Sequence, residues 1–176
     1  MRFYFILSCI VFASCSNTKQ VINATKNKKG DLVGVANKES LKAAPYNVWF
    51  NKGYTNFKVD ETTITAIEKN LKGVKIKSFM GTWCKDSKKE VPHFFKILEA
   101  ANFNLKNHEL ITVNRNKKTL NKLEKGFQLL RVPTFIFYKD GAEIGRFVER
   151  PIETLEKDIL KIVSGKPYKH AYDSSK

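Results

Sequence analysis

Apolar residues recur three and four positions apart in several stretches of the chain, and this spacing predicts amphipathic helices. The first stretch follows Asp60, a residue type that caps helix N-termini, and stops at Gly73. The last stretch follows Pro151, and Gly165 and Pro167 end it. The apolar positions are Ile64, Ile67 and Leu71; Val91, Phe94, Phe95 and Leu98; Leu120, Leu123 and Phe127; and Ile152, Leu155, Ile159 and Ile162.

Short apolar runs between these helices predict β-strands. Residues 74–80 and 109–113 are mostly apolar, and residues 134–138 are almost entirely apolar or aromatic, as in a strand covered on both faces. Asp140-Gly141 is typical of a two-residue hairpin turn leading into a last strand over 143–148. From the first of these strands onward the order is β-α-β-α-β-β-α, which predicts an α/β domain with helices packed on a central sheet.

The first fifteen residues have the features of a signal peptide. Arg2 precedes an apolar run over residues 3–12, which is too short to span a bilayer. Phe12-Ala13-Ser14-Cys15 resembles a bacterial lipobox, in which Cys15 is diacylated and becomes the mature N-terminus; an ordinary secretory leader cleaved nearby is the alternative. Lipid on Cys15 implies export and a membrane tether, and Ser16 after it is typical of lipoproteins sent to the outer membrane.

The rest of the chain divides into three parts. Residues 16–45 are polar, rich in lysine and asparagine and without sustained periodicity, which predicts a flexible tether. After the leader, Tyr46 is the first aromatic residue, so the folded domain is expected over residues 46–165. Residues 166–176 are left as a C-terminal tail.

The charge of the chain narrows the range of partners. The formal net charge is +15 over 176 residues, and nearly all basic residues are lysines spread evenly along the chain. Proteins that read phosphates and bases rely on clustered arginines, so no nucleic-acid partner is expected, and export also removes that partner. We expect solvated lysines, some of them resting against anionic lipid head groups.

Three cysteines define the available sulfur chemistry. Cys9 leaves with the leader and Cys15 is expected to carry lipid, so the folded part keeps one thiol, Cys84, and no internal disulfide. Cys84 follows Trp83 and begins the second predicted helix. Unpaired N–H groups and the helix dipole at such a position favour the thiolate, which is the nucleophilic form.

Side chains near Cys84 have opposing effects on the stability of its thiolate. Lys85 and Lys88 are within one helical turn and favour the anion, and the hydroxyl of Ser87 is placed to hydrogen-bond it. Asp86 opposes the anion, so the net direction stays open from the sequence alone.

Three separated motifs resemble the thioredoxin family over residues 46–165. Trp83-Cys84-x-x-Ser87 matches the Trp-Cys-x-x-Cys active site, and Pro92 occupies the place of the helix-kinking proline. The run Lys-Lys-Glu-Val-Pro that ends at Pro92 resembles membrane-anchored, extracytoplasmic members of the family. Arg131-Val132-Pro133-Thr134 matches the loop whose proline is cis in this family. The resemblance implies an α/β thioredoxin fold, with a central mixed sheet flanked by helices.

The resemblance also implies which residues form the site. The loop with the cis-proline is expected to hold an extended substrate segment by strand-like hydrogen bonds, and Trp83 either adds apolar surface or packs in the interior. The catalytic candidates are Cys84, Ser87, Trp83 and Lys85, and the substrate-binding candidates are Val132, Pro133 and Thr134.

Two serines depart from the family's pattern. Ser87 stands where the second, resolving cysteine would be, and Ser78 stands where a buried acid commonly helps to deprotonate that cysteine. The chain is therefore interpreted as a single-cysteine thiol–disulfide exchange protein, of the oxidoreductase or isomerase type. Its expected partners are protein or small-thiol disulfides and an external thiol reductant. The alternative is a non-catalytic binding or assembly module that uses the groove beside Pro133.

The sequence implies neither a cofactor nor a metal. Copper handling, which occurs in some exported proteins of this fold, needs paired sulfurs or a Cys/His/Met cluster. Cys84 with His93, His108 and His170 scattered along the chain does not supply one. A nucleophile–base pair of Cys84 and His93 is equally unfavoured, because a stretch of helix separates them.

Overall fold

A computed structural model describes residues 21–173 of the chain, and these residues form a six-stranded β-sheet and five α-helices. The strands are β1 Thr25–Lys26, β2 Leu32–Ala36, β3 Val74–Met80, β4 His108–Thr112, β5 Thr134–Lys139 and β6 Ala142–Val148. The helices are α1 Lys38–Lys42, α2 Asn47–Asn56, α3 Glu61–Asn70, α4 Lys85–Ala100 and α5 Leu155–Val163, and a 3-10 turn over Leu105–Asn107 precedes β4.

The sheet has the strand order β1-β2-β4-β3-β5-β6. β3 and β4 run parallel, and the other neighbouring strands are antiparallel. This arrangement confirms the predicted thioredoxin fold, a mixed sheet flanked by helices. None of the helices in the described part is long and apolar enough to cross a membrane.

Apolar side chains form two clusters on opposite faces of the sheet. The larger cluster takes residues from all five described helices and from alternate positions of β3, such as Ile76 and Met80. The smaller cluster contains Phe79. Leu123 and Phe127, which lie in the loop between β4 and β5, pack against it. Trp83 and Cys84 lie against this smaller cluster, so the site belongs to the face that a loop covers.

Close packing fixes α4, the helix that follows Cys84, against the sheet. Phe94 stacks on Phe135 of β5 with ring centroids 3.9 Å apart, and Phe135 stacks on Phe147 of β6 at 5.2 Å. Pro92 lies inside α4, and a Cβ atom on Gly53 of α2 would come within 3.1 Å of its ring. α4 is therefore held by β5 on one side and by α2 on the other.

Most of the predicted elements are confirmed. Asp60 caps α3 by accepting a hydrogen bond from Thr63 N at 2.6 Å, and Gly73 follows the helix with a φ of 78°. Asp140 and Gly141 form the hairpin between β5 and β6 with φ values of 51° and 83°, as a primed turn requires.

The prediction that residues 16–45 form a flexible tether is wrong for most of that range. β1, β2 and α1 all lie within it, β2 pairs with β4 in the sheet, and Leu41 of α1 is fully buried in the larger cluster. The run Leu32–Ala36 becomes a strand because β4 supplies partners for its backbone groups. Residues 1–20, with the predicted leader and Cys15, lie outside the described residues.

The end of the chain also differs from its prediction. α5 begins at Leu155, whereas Ile152 is 54% exposed and precedes the helix. The N–H of Ile152 donates to Asp158 Oδ2 at 2.7 Å, which turns the chain before the first helical residue. The predicted tail folds back on the domain as far as it is described, because Tyr168 packs against the larger cluster and its hydroxyl donates to Asp158 Oδ2 at 3.1 Å.

The predicted helix over Leu120, Leu123 and Phe127 is a series of turns. Lys122 and Gly126 have φ values of 53° and 89°, which lie outside the helical region. Leu120 is 90% exposed, so only two of the three apolar residues reach the smaller cluster. A loop therefore covers this face of the sheet where a helix was expected.

Candidate functional site

Cys84 lies where the chain passes from β3 to α4. It is the N-cap residue of α4, and its carbonyl accepts the first helical hydrogen bond from Lys88 N at 3.0 Å. Its thiol donates to Val132 O at 3.1 Å, and Asp86 Oδ2 lies 4.0 Å from Sγ. The residue is half-buried, and the hydrogen bond to Val132 O orients its sulfur toward the opposite loop.

The opposite loop contains the proline that the resemblance singles out. The Val132–Pro133 peptide bond is cis, and the structure brings these two residues against Cys84. Glu149 N donates to Pro133 O at 2.7 Å, which ties the loop to the end of β6.

Ser87 and Thr134 are buried and make hydrogen bonds within the protein, and the bond expected between Ser87 and Cys84 is not among them. Gly81 N donates to the buried Ser87 Oγ at 3.2 Å, and no hydrogen bond joins Ser87 to Cys84 among the described residues. Thr134 is buried, and its hydroxyl donates to Arg131 O at 2.7 Å. Both side chains therefore stabilise the loops that carry the site.

Trp83 combines the two roles left open for it. Its ring N–H donates to Val113 O at 3.0 Å, and the half-buried ring packs against the smaller cluster. A Cβ atom on Gly81 would lie 2.5 Å from this ring, so the tryptophan needs glycine at that position. Lys85, the neighbour of Cys84 on the other side, is exposed and makes no ion pair with the described residues.

The hairpin formed by β1 and β2 supports the site, although no local motif in the sequence marks its contribution. Leu32 N donates to Thr82 Oγ1 at 3.0 Å, which joins β2 to the loop before Cys84. Asp31, also in this hairpin, is buried and lies 3.5 Å from Arg115 Nε. The guanidinium of Arg115 lies over Trp83, 5.9 Å from the ring centre.

A neutral pair replaces the acid that the family buries beneath its site. Ser78 Oγ and His108 Nε2 are 2.8 Å apart, and both residues are buried. Phe94 and Phe95 meet the imidazole at edge-on angles, with centroids at 5.7 and 5.2 Å. Burial lowers the pKa of His108 to about 3, so the ring is uncharged near neutral pH.

Two further titratable groups lie on α4, on the turns after the site. Burial raises the pKa of Glu90, although the ion pair with Lys89 at 2.9 Å works against this shift. Burial and the positive charges of Lys89 and Lys96 lower the pKa of His93 to about 4. His93 stacks on Phe57 at 4.1 Å, which makes it a packing residue rather than a base for Cys84.

Metal-ligating side chains do not come together in the part of the chain that the structure describes. No three His, Cys, Asp or Glu residues there are grouped to hold an ion. The chemistry that the arrangement supports is that of a half-buried thiol facing the carbonyl that precedes cis-Pro133.

A thiol at the start of a helix, facing a cis-proline loop at one end of a mixed sheet, defines a thioredoxin-fold protein with one site cysteine. A family model described as Thioredoxin matches residues 40–161. The chain belongs to the thioredoxin family, and its fold supports a thiol–disulfide redox function in general terms.

Individual relatives agree with this assignment. The chain is 30% identical over 97 residues to a thioredoxin-like protein of Acanthamoeba polyphaga mimivirus, across 55% of this chain and 68% of that protein. It is 29% identical over 84 residues to thioredoxin domain-containing protein 2 of Rattus norvegicus, across 48% of this chain and 14% of that protein. A solved protein of unknown function from Pseudomonas aeruginosa superimposes with a TM-score of 0.54 at 15% identity, over 70% of this chain and 86% of that one, and supports the fold alone.

Proposed function

We propose that this protein is an exported thiol–disulfide exchange protein that acts through Cys84 alone. The observation that carries the proposal is the position of Sγ, at the start of α4 and 3.1 Å from the carbonyl that precedes cis-Pro133. A substrate segment lying along Val132 would bring its own disulfide to this sulfur. The expected substrates are disulfides of proteins or of small thiols, and no cofactor is needed.

The exchange has two steps. The Cys84 thiolate attacks one sulfur of the substrate disulfide, forming a mixed disulfide, and the other sulfur leaves as a thiolate that takes up a proton. Ser87 offers no sulfur to resolve this intermediate. An external thiol, or a second cysteine of the substrate, therefore attacks the mixed disulfide and returns Cys84 to its reduced form. The cycle suits disulfide isomerisation or the removal of thiol adducts.

The proposed location rests on the sequence before the described residues. The apolar run and lipobox-like motif that end at Cys15 favour export and diacylation of that cysteine. Ser16 favours transfer to the outer membrane, on its periplasmic side. Labelling with a radioactive fatty acid, in the native chain and in Cys15→Ser, tests the anchor independently of the chemistry at Cys84.

The reactivity of Cys84 tests the proposed chemistry. The full chain and its Cys84→Ala variant are treated with a mild disulfide probe across a range of pH, and the products are identified by mass spectrometry. We expect a mixed disulfide at Cys84 that forms faster than with free cysteine near neutral pH, and none in the variant. A thiol that reacts no faster than free cysteine and yields no adducts would exclude the proposal.

A binding or assembly module is the second candidate. Ser87 and Ser78, the two departures from the redox pattern, both make hydrogen bonds inside the domain, and this favours a binding role. The two functions predict different cellular phenotypes for Cys84→Ala. A strain with this substitution should resemble the deletion if the thiol is used, and should resemble the wild type if only the groove beside Pro133 is used.

A further inference from the structure

Arginines are scarce in this chain, and two of them lie on loops next to the Cys84 segment. Of the 32 basic residues, five are arginines. Arg115 lies over Trp83, 5.9 Å from the ring centre, and Trp83 directly precedes Cys84. Arg131 directly precedes Val132, whose carbonyl accepts the hydrogen bond from the Cys84 thiol. Two loops that contact the Cys84 segment therefore each carry an arginine.

These two guanidinium groups keep N–H donors that no described residue accepts, although that of Arg131 also lies over the Tyr172 ring, 4.9 Å from its centre. Arg146 serves as a comparison, because its guanidinium donates three hydrogen bonds within the domain and has a structural role. The side chains of Arg115 and Arg131 are 55% exposed, and neither donates a hydrogen bond to any residue within the described range 21–173. Their ion-pair contacts, with Asp31 and Glu149, are both 3.5 Å long.

The local charge also determines where a substrate can carry its carboxylates. Asp86 lies 4.0 Å from Sγ and repels an anion placed at the sulfur itself. Arg115 and Arg131, on the loops next to the Cys84 segment, attract anions, and a planar guanidinium with free N–H groups matches the geometry of a carboxylate. Acidic side chains are thus favoured at the substrate residues that flank the cysteine.

We propose, on the basis of the function proposed above, that Arg115 and Arg131 select polypeptide disulfides whose cysteine is flanked by acidic residues. The two arginines act as specificity residues that orient the substrate. The bonds formed and broken remain those of the exchange at Cys84, with an external thiol completing the cycle. The preference is electrostatic and weakens as salt screens it.

Three peptide disulfides test this proposal with the full chain. The peptides are identical except that glutamate, glutamine or lysine flanks the cysteine, and stopped-flow kinetics measures the rate of mixed-disulfide formation at Cys84. We expect the acidic peptide to react roughly tenfold faster than the lysine peptide at low salt, since each exposed ion pair contributes up to about fivefold. The ratio should approach one at high salt.

The substitutions Arg115→Gln and Arg131→Gln together should remove this preference without unfolding the domain, because both side chains are largely exposed. The matched control is Lys52→Gln with Lys69→Gln on α2 and α3, which makes the same change in net charge and should preserve the preference. A wild-type protein with equal rates for all three peptides, or a double arginine variant with an unchanged ratio, would overturn the inference.

Two further outcomes separate the possible causes of failure. If no peptide forms a mixed disulfide with Cys84, the proposed exchange function itself fails; equal rates for all peptides refute only the selectivity. Oxidised glutathione carries carboxylates without an extended polypeptide. A rate for oxidised glutathione above that of the acidic peptide would contradict the assignment to polypeptides, and a lower rate would support it.

Discussion

Replacing the buried His108 by glutamine should remove a large part of the acid sensitivity of this fold. In the native protein burial lowers the pKa of His108 from 6.5 to about 3, whereas in the unfolded chain the imidazole titrates near its ordinary value. The unfolded state therefore binds more protons between these two values, so the free energy of unfolding decreases as the pH falls through this window. The contribution is complete above pH 6.5 and lost below about pH 3.

The size of the effect follows from the pKa difference. Each unit corresponds to about 1.4 kcal/mol, so at pH 5 protonation of the unfolded state costs about 2 kcal/mol of stability. Below pH 3 the loss approaches about 5 kcal/mol. Nothing charged contacts the imidazole in the described part of the chain, where Ser78, Phe94 and Phe95 surround it.

Urea unfolding followed by tryptophan fluorescence at pH 7 and pH 5 measures this contribution. Glutamine keeps a hydrogen-bonding group for Ser78 and does not titrate. We expect the wild type to lose about 2 kcal/mol more than His108→Gln between the two pH values, whatever the packing cost of the substitution at pH 7. Lys52→Gln, an exposed change, should follow the wild type. Equal losses for the wild type and His108→Gln would refute the reasoning.

Three further substitutions probe the site and its support. Ser87→Cys places a second thiol three residues after Cys84 and should let mixed disulfides resolve without added thiol; mass spectrometry should find few trapped adducts, and persistent trapping would argue against this. Gly81→Ala puts a methyl group 2.5 Å from the Trp83 ring and should lower the free energy of unfolding by about 1–3 kcal/mol. The folded variant should also have a changed tryptophan fluorescence spectrum, and an unchanged midpoint of thermal unfolding would contradict the packing described. Asp158→Ala leaves Ile152 N and the Tyr168 hydroxyl without their acceptor and should cost about 2–4 kcal/mol in urea unfolding, well above the effect of an exposed carboxylate.

The predictable parts of the fold are those with strong local patterns. α3, α4 and β3 to β6 follow from apolar periodicity, a capping aspartate and a hairpin turn. The run Leu32–Ala36 was missed because it is five residues long among lysines and asparagines, and its strand character depends on pairing with the distant β4. The helix expected over residues 120–127 does not form, because the backbone turns to positive φ at Lys122 and at Gly126.

Likewise, some residues of the site could be predicted from local motifs, and others depend on contacts between distant parts of the chain. Cys84 and cis-Pro133 are marked by motifs, and the resemblance that identified them also implied their contact. Arg115 was not foreseen, because its position over Trp83 depends on the folded loop after β4 and on Asp31 in a hairpin that the sequence suggested was unstructured. The hydrogen bond of Ser87 to Gly81 likewise depends on the exact shape of the turn before α4.

If Cys15 carries lipid, as proposed above, the early start of the folded part restricts how far the domain can lie from the membrane. Asn23 already exchanges hydrogen bonds with Val35 of β2, so eight peptide steps separate the fold from Cys15. A fully extended segment of this length spans about 28 Å. A lipid on Cys15 would confine the domain to a layer above the bilayer whose depth is this reach plus the width of the domain, and only disulfides that enter this layer would meet its thiol.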